Sequence, residues 1–283
     1  MAIQLSPVLA AQARDNRGGF SVKSIDLQEL GERASPILVL DDFRVTGRPF
    51  PLHPHAGFSA VTYVFEDSKG SLRSRDSLGN DLVTGPGGIV WTQAGSRVVH
   101  EEIPADASRE LHGLQVFVNL SAKNKLVAPR MFRLQKSSVP EWRSGAGDCV
   151  RVLVGSFAGL LSPLVPAEPF DFLDIELQSE MSLNLASAHN TIVYVPEGDI
   201  IVHTAAREQE VSGGHALGIY GSGGHVKLEA LQRAHLVLLS GVEIREPVVA
   251  DGPFIMNERS QIEGAVSRYR AGGMGHLPPL SDS

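Results

Sequence analysis

Histidine and glutamate recur at two-residue spacing in two short stretches of this chain, Pro51-Leu52-His53-Pro54-His55-Ala56-Gly57-Phe58 and Val98-Val99-His100-Glu101-Glu102. In an extended strand the side chains at i and i+2 leave the same face. His53 and His55 then share a face, as do His100 and Glu102, while Glu101 points the other way. Two such strands set against each other offer three imidazoles and one carboxylate to a single point. Three nitrogens and an oxygen, with room left for solvent or substrate, suit iron, manganese, nickel, copper or zinc. An isolated His-x-His pair is weak evidence in a chain with 10 histidines, most of which serve on the surface or in the core. The second, His-x-Glu stretch is what favours a metal site over that blander reading.

Strands must position these residues, and the chain is punctuated for strands. Its Gly 29 and Pro 17 are scattered between short apolar runs rather than gathered in one block, which predicts many short strands joined by turns. Runs at 36–40, 59–65, 71–77, 89–92, 97–103 and 111–120 read as strands, and 66–70, 78–81, 85–88 and 94–96 as turns. Strands about ten residues apart with no helix between them indicate an all-β sandwich or barrel rather than a βαβ fold. Residues 1–35 are mixed, with a strand hint from Phe20 to Leu27. Residues 121–147 read as a connector. A second β-rich series follows at 150–156, 171–177, 181–185, 191–195, 199–203, 226–228 and 235–239. Ile262, Ala265, Val266 and Tyr269 lie on one helical stripe within 257–271, and the tail 272–283 is expected to be mobile. The division expected is an N-terminal metal-binding domain, 1–135, and a C-terminal domain, 136–283. In the second half His189, His203, His215, His225 and His235 form no His-x-His pair and read as loop or core residues.

Composition excludes some classes. Hydrophobic residues are 42% and charged residues 20%, ordinary for a globular protein. A net charge of -7, without a basic run, argues against direct nucleic-acid binding through phosphates. The single cysteine, Cys149, forbids an internal disulfide and reads as a small buried apolar residue. No secretory or membrane-spanning pattern is evident, so a cytoplasmic protein without a membrane partner is expected. Gly85-Pro86-Gly87-Gly88 lacks the Lys-Ser/Thr of a phosphate loop and reads as a turn. No serine or cysteine sits in a nucleophile motif. Trp91 and Phe117 read as core before pocket. Gln115 and His112 stand within reach of a pocket mouth, with core hydrogen bonding as the equal alternative. Arg97 faces away from His100 by alternation.

The runs HPHAGFSAVTYV, RDSLGN, WTQAGSRVVHEE and HGLQVFVNL, with REPVVADGPFIMN near the end, resemble the pirin family of the cupin superfamily, over about residues 36–269. The resemblance implies two tandem cupin jelly-roll barrels, a bicupin, with a short C-terminal helix. It implies one divalent metal in the N-terminal barrel, usually iron, with His53, His55, His100 and Glu102 matching the family's ligands, and no metal in the C-terminal barrel. The chain departs from the family at Ala56, where Arg is usual, at Ser59, where Glu is usual, and at Ser74, where His is common. Several bacterial members are similar to quercetinases, which implies a dioxygenase taking a flavonol-like substrate and dioxygen, with Glu102 as its catalytic base. Eukaryotic members imply the alternative, an iron-binding, redox-responsive regulator acting through a protein partner.

Overall fold

The computed structural model describes residues 2–17, 19–47 and 51–280. Antiparallel strands dominate it, and the chain divides into two compact units. In the first half of the chain a seven-stranded sheet runs in the order Arg130–Leu134, Ile89–Gln93, Phe58–Val64, Leu111–Asn119, Ile37–Val45, Phe20–Ser24 and Gln12–Arg17. A four-stranded sheet goes with it, in the order His53–His55, Val98–Pro104, Leu72–Asp76 and Asp81–Thr84. The second half repeats the plan. Its seven-stranded sheet runs Gln4–Ala10, His215–Tyr220, His189–Glu197, Ala234–Val242, Phe170–Leu177, Cys149–Val154 and Glu141–Arg143. Its four-stranded sheet runs Glu180–Leu185, Gly224–Ala230, Asp199–His203 and Glu208–Ser212. Two paired sheets around one apolar interior make each unit a cupin-type barrel. The one α-helix among the described residues is Arg259–Arg270, and no helix among them is long and apolar enough to cross a membrane.

The units draw on the chain ends crosswise. The unit built on 138–243 also takes residues 1–12 and 23–38, and the unit built on 39–137 also takes 13–22 and 244–283. The change of unit falls at 137/138, and each unit includes segments from the other end of the chain. Gln4–Ala10, which the mixed composition of 1–35 concealed, pairs with His215–Tyr220 across an irregularity between Leu5 and Val8. The segment expected to be a connector contributes two strands, Arg130–Leu134 and Glu141–Arg143. Lys125, within this segment, is fully buried.

The expected mobility of the tail is overturned for its described part. Met274 and Leu277 are buried, in a cluster with Ala56, Val99, Phe254, Met256, Ile262 and Ala265. Backbone carbonyls fix the same segment: Arg97 donates to Gly273 O at 2.9 Å, Ser77 Oγ to Met274 O at 3.1 Å and Arg75 to Pro278 O at 2.8 Å. Arg75, nearly buried beside Glu101, needs such acceptors, because an unsatisfied buried guanidinium is costly. Residues 281–283 lie outside the described residues. Ala56 and Val99 belong to the strand regions that carry the histidines, so helix and tail pack behind those strands.

Candidate metal centre

His53–His55 is a three-residue strand hydrogen-bonded to Val98–Pro104, with His53 opposite His100 and His55 opposite Val98. Pairing and alternation together set the three imidazoles on one face. Each pair of rings has its centroids 4.7 Å apart, and the ligand nitrogens of all three lie within 4.8 Å of one another. The Nε2 atoms of His53 and His100 stand 3.2 Å apart. Backbone carbonyls orient two rings from behind: His53 Nδ1 lies 2.9 Å from Pro51 O and His55 Nδ1 3.4 Å from Pro253 O. A proton held on each of these Nδ1 atoms leaves Nε2 as a lone-pair donor toward the centre.

Burial keeps His55 and His100 in their ligating form. Burial, then the neighbouring His53, lowers His55 to about 3. Burial, then His55 and His53, holds His100 well below the ordinary imidazole range. Neutral imidazole is the form that binds metal. Among the described residues no acidic group joins the cluster, and His100 Nδ1 is buried with no hydrogen-bond partner. Three convergent imidazoles, two of them kept neutral by burial and two oriented by carbonyls, fit a metal ion: the triad can hold one.

Glu102 stands on the same strand face but apart from the triad. Its Oε2 accepts from Thr62 Oγ1 at 2.5 Å and its Oε1 from Ser74 Oγ at 3.4 Å. Burial raises its pKa to about 7, against the lowering by these two hydroxyls. Thr62 Oγ1 also lies 3.2 Å from Gln115 Oε1, whose amide is oriented by donation to Val61 O at 2.9 Å. Asp41, Glu102 and Gln115 form the polar part of a pocket of about 110 Å³ whose walls include Phe20, Phe43, Leu72 and Leu111. Glu101, on the opposite face, pairs with Arg75 at 2.9 Å.

The remaining candidates sort by contact. Gln115 reaches the pocket. His112 is held between Asp42 and Asp67, at 3.0 and 2.6 Å, and does not line it. Phe117 packs edge-on to His55 at 5.7 Å and against Phe58 at 4.6 Å, whereas Trp91 is buried core. Ser74, at the departure from the family pattern, is a hydroxyl neighbour of Glu102. Ala56 is buried against Phe254 and Met256, and Ser59 is buried with its hydroxyl unpartnered. Cys149 is buried, and burial pushes its thiol up to about 11. None of the six histidines of the second half joins a metal-type cluster among the described residues.

Two contributors escaped the sequence reading. Thr62 carried a faint signal, its alternation in a strand of the same barrel. Lys125 carried none. Its ammonium donates to Gly57 O at 2.9 Å, Asn119 Oδ1 at 2.6 Å and Ile255 O at 3.1 Å, and so ties the turn after His55 to the segment Phe254–Met256. Gly57 has φ +88°, and a Cβ there would lie 1.8 Å from Ile255 O, so the approach requires glycine.

Comparison with known proteins agrees with this architecture. The family model described as Pirin matches residues 5–118, and that described as Pirin C-terminal cupin domain matches 172–275. The chain is 32% identical to Pirin of Rattus norvegicus over 93% of its own length and 87% of the relative's. It is 35% identical to a Pseudomonas aeruginosa protein named "Putative quercetin 2,3-dioxygenase", over 85% of this chain and 87% of that one. The solved bacterial pirin YhhW of Escherichia coli, in complex with nickel(II), shares the fold with a TM-score of 0.66 at 18% identity, over 85% of this chain and 100% of that one. Two cupin barrels in tandem, a His triad in the first and family matches in both halves make this chain a member of the pirin family.

Proposed function

We propose that the protein is a metal-dependent dioxygenase of the quercetin 2,3-dioxygenase type, with Fe(II) as its metal. The observation that carries this is the juxtaposition of a three-imidazole cluster with a pocket-lining carboxylate on the same strand. His53, His55 and His100 would hold the metal. A divalent metal there supplies Lewis-acid and redox chemistry toward a substrate oxygen and dioxygen. Manganese, nickel, copper and zinc suit the same donors, and the nickel complex of the Escherichia coli relative supports a divalent ion.

The chain's own part is to manage a proton. Glu102, raised by burial to about 7, is suited to take the proton of an enolic substrate hydroxyl near neutrality. Once protonated it can donate to Thr62 Oγ1, and Thr62 can turn its own hydrogen to Gln115 Oε1, 3.2 Å away. The triplet is thus satisfied in both protonation states. The walls around Phe20, Phe43 and Leu111 exclude water from the substrate, which strengthens these interactions. The relative named for quercetin 2,3-dioxygenase supports a flavonol-like substrate.

One observation favours a second reading. The pocket holds about 110 Å³, whereas pockets for drug-sized ligands run to about 300–1,000 Å³. A narrow pocket suits an iron-binding, redox-responsive protein that acts through a protein partner. Flavonol-dependent oxygen uptake by protein reconstituted anaerobically with Fe(II), Mn(II), Ni(II) or Cu(II), with bound metal quantified in the same samples, separates the two. Uptake that tracks occupancy and releases carbon monoxide supports the dioxygenase. Full occupancy without uptake supports the partner-binding protein, and no bound metal rejects both.

A further inference from the structure

The barrel built on 138–243 has a cleft of its own, about 690 Å³ in volume. It opens beside two edge strands, Glu180–Leu185 at the end of the four-stranded sheet and Glu141–Arg143 at the end of the seven-stranded sheet. Cross-strand register builds its floor: Asp171 lies opposite Ser240, and Leu173 opposite Leu238. Alternation along Glu180–Leu185 buries Met181 and Leu183 and exposes Ser182 and Asn184. Trp142 and Phe157 form one wall, edge to face at 5.4 Å. The size falls within the usual range for small-molecule sites of about 300–1,000 Å³.

The charge of the lining is one-sided. It contains Asp148, Asp171 and Glu180 and no lysine or arginine. Two of the acids are already answered. Asp148 accepts from Ser144 Oγ at 2.6 Å and from the backbone N–H groups of Gln178 and Ser179 at 2.8 and 3.3 Å, and Glu180 pairs with Lys227 at 3.0 Å. Asp171 is different. Its Oδ1 accepts from Ser156 N at 3.1 Å, and its Oδ2 has no partner among the described residues. Burial raises its pKa against the Ser156 N–H and the nearby His189. Apolar and aromatic surface beside an under-satisfied carboxylate is complementary to an organic cation, whose charge also gains from aromatic faces.

We propose that this cleft is a binding site for a small organic amine, its ammonium on Asp171 and its apolar body across Leu173, Met181, Leu238 and the Trp142–Phe157 pair. The site is separate from the metal centre, since none of its residues belongs to the unit that carries the histidines. It stands whether or not the dioxygenase reading holds.

The test uses the full-length protein and three probes that share a phenyl ring but differ in charge: 2-phenylethylamine, 2-phenylethanol and 3-phenylpropionate, titrated by calorimetry and by ligand-observed NMR. The amine is expected to bind at least about tenfold more tightly than the acid, with the alcohol between them. Asp171→Asn keeps the acceptor for Ser156 N; it is expected to weaken the amine about tenfold while leaving the alcohol within about twofold. Ser182→Lys, at an exposed position of the lining, is expected to abolish the preference for the amine. His55→Ala is expected to leave amine binding unchanged, which separates this site from the metal centre. Equal binding of the three probes, indifference of the amine to Asp171→Asn, loss of amine binding in His55→Ala, or no binding up to about 10 mM would each overturn the proposal.

Discussion

Glu102 and the three imidazoles have different neighbours, so their substitutions are expected to separate. Glu102→Gln preserves size and hydrogen bonding to Thr62 and Ser74 but removes the base. Flavonol turnover is expected to fall at least about a hundredfold, while metal content by mass spectrometry stays near wild type. His100→Ala is expected to lose the metal itself, because two imidazoles alone hold a divalent ion poorly. Undiminished turnover in Glu102→Gln would remove the base from the mechanism. The triad was legible in the sequence because its logic is local: strand alternation unites His53 with His55, and one strand pairing adds His100. Lys125 was not legible, because its acceptors Gly57 and Ile255 lie 68 and 130 residues away, and nothing in a basic connector announces them. Lys125→Met leaves three oxygens without their donor in a site with 0% exposure. It is expected to cost about 3 kcal/mol or more, read as a lowered midpoint in urea, and to weaken metal binding through the turn after His55.

At the scale of elements, turn punctuation made most strands of both series readable, since glycine and proline break the chain where strands must reverse. The strands that escaped lack that local signature. Gln4–Ala10 contains Pro7 and pairs irregularly, and His215–Tyr220 contains Gly218, which sits against Ser6 and Leu30. The helix was visible in its stripe, but the anchoring of the tail depends on partners far away in sequence. Deleting residues 273–283 removes Met274 and Leu277 from their cluster, at about 1.5–3 kcal/mol for each side chain. It also strips acceptors from Arg75 and Ser77. The expected result is a lower melting temperature together with weaker metal binding, since the cluster backs Ala56 and Val99; a shortened chain with unchanged metal affinity would contradict that link. In the other barrel, Arg151 and His235 flank the buried Asp174 on neighbouring strands. Burial opposes protonation of His235, but the charge and hydrogen bond of Asp174 outweigh it and raise the pKa above the ordinary histidine value. A raised folded-state pKa contributes stability that is fully present below about pH 6.5 and is lost as pH rises through the folded value. His235→Gln is therefore expected to destabilise most in acid, with the gap to wild type closing toward alkaline pH, as measured by urea unfolding across the range.

For the whole molecule, repeated β architecture and family motifs made two barrels legible, but local patterns could not reveal that each barrel borrows from the opposite end of the chain. The crosswise assignment of 1–12 and 244–283 has a direct consequence. Residues 1–137 contain all three histidines but lack Phe254, Met256, Ile262, Met274 and Leu277, five large apolar members of the cluster behind the metal strands. At about 2 kcal/mol for each buried side chain, their loss is worth about 10 kcal/mol, comparable with the entire stability of a typical domain of about 5–15 kcal/mol. That fragment also lacks Pro253 O, which orients His55, and the Ile255 O that holds Lys125. Residues 138–283 in turn lack Gln4–Ala10, the strand that pairs along His215–Tyr220. A chain cut at 137/138 is therefore expected to yield two pieces that neither unfold cooperatively nor bind metal when expressed apart. Co-expression is expected to restore both properties, with one metal per reassembled pair, because the missing segments need supply only packing and hydrogen bonds. Cooperative unfolding and full metal affinity in 1–137 alone would mean that the strand pair carrying the histidines is self-sufficient, and that the C-terminal segment covers the site without building it.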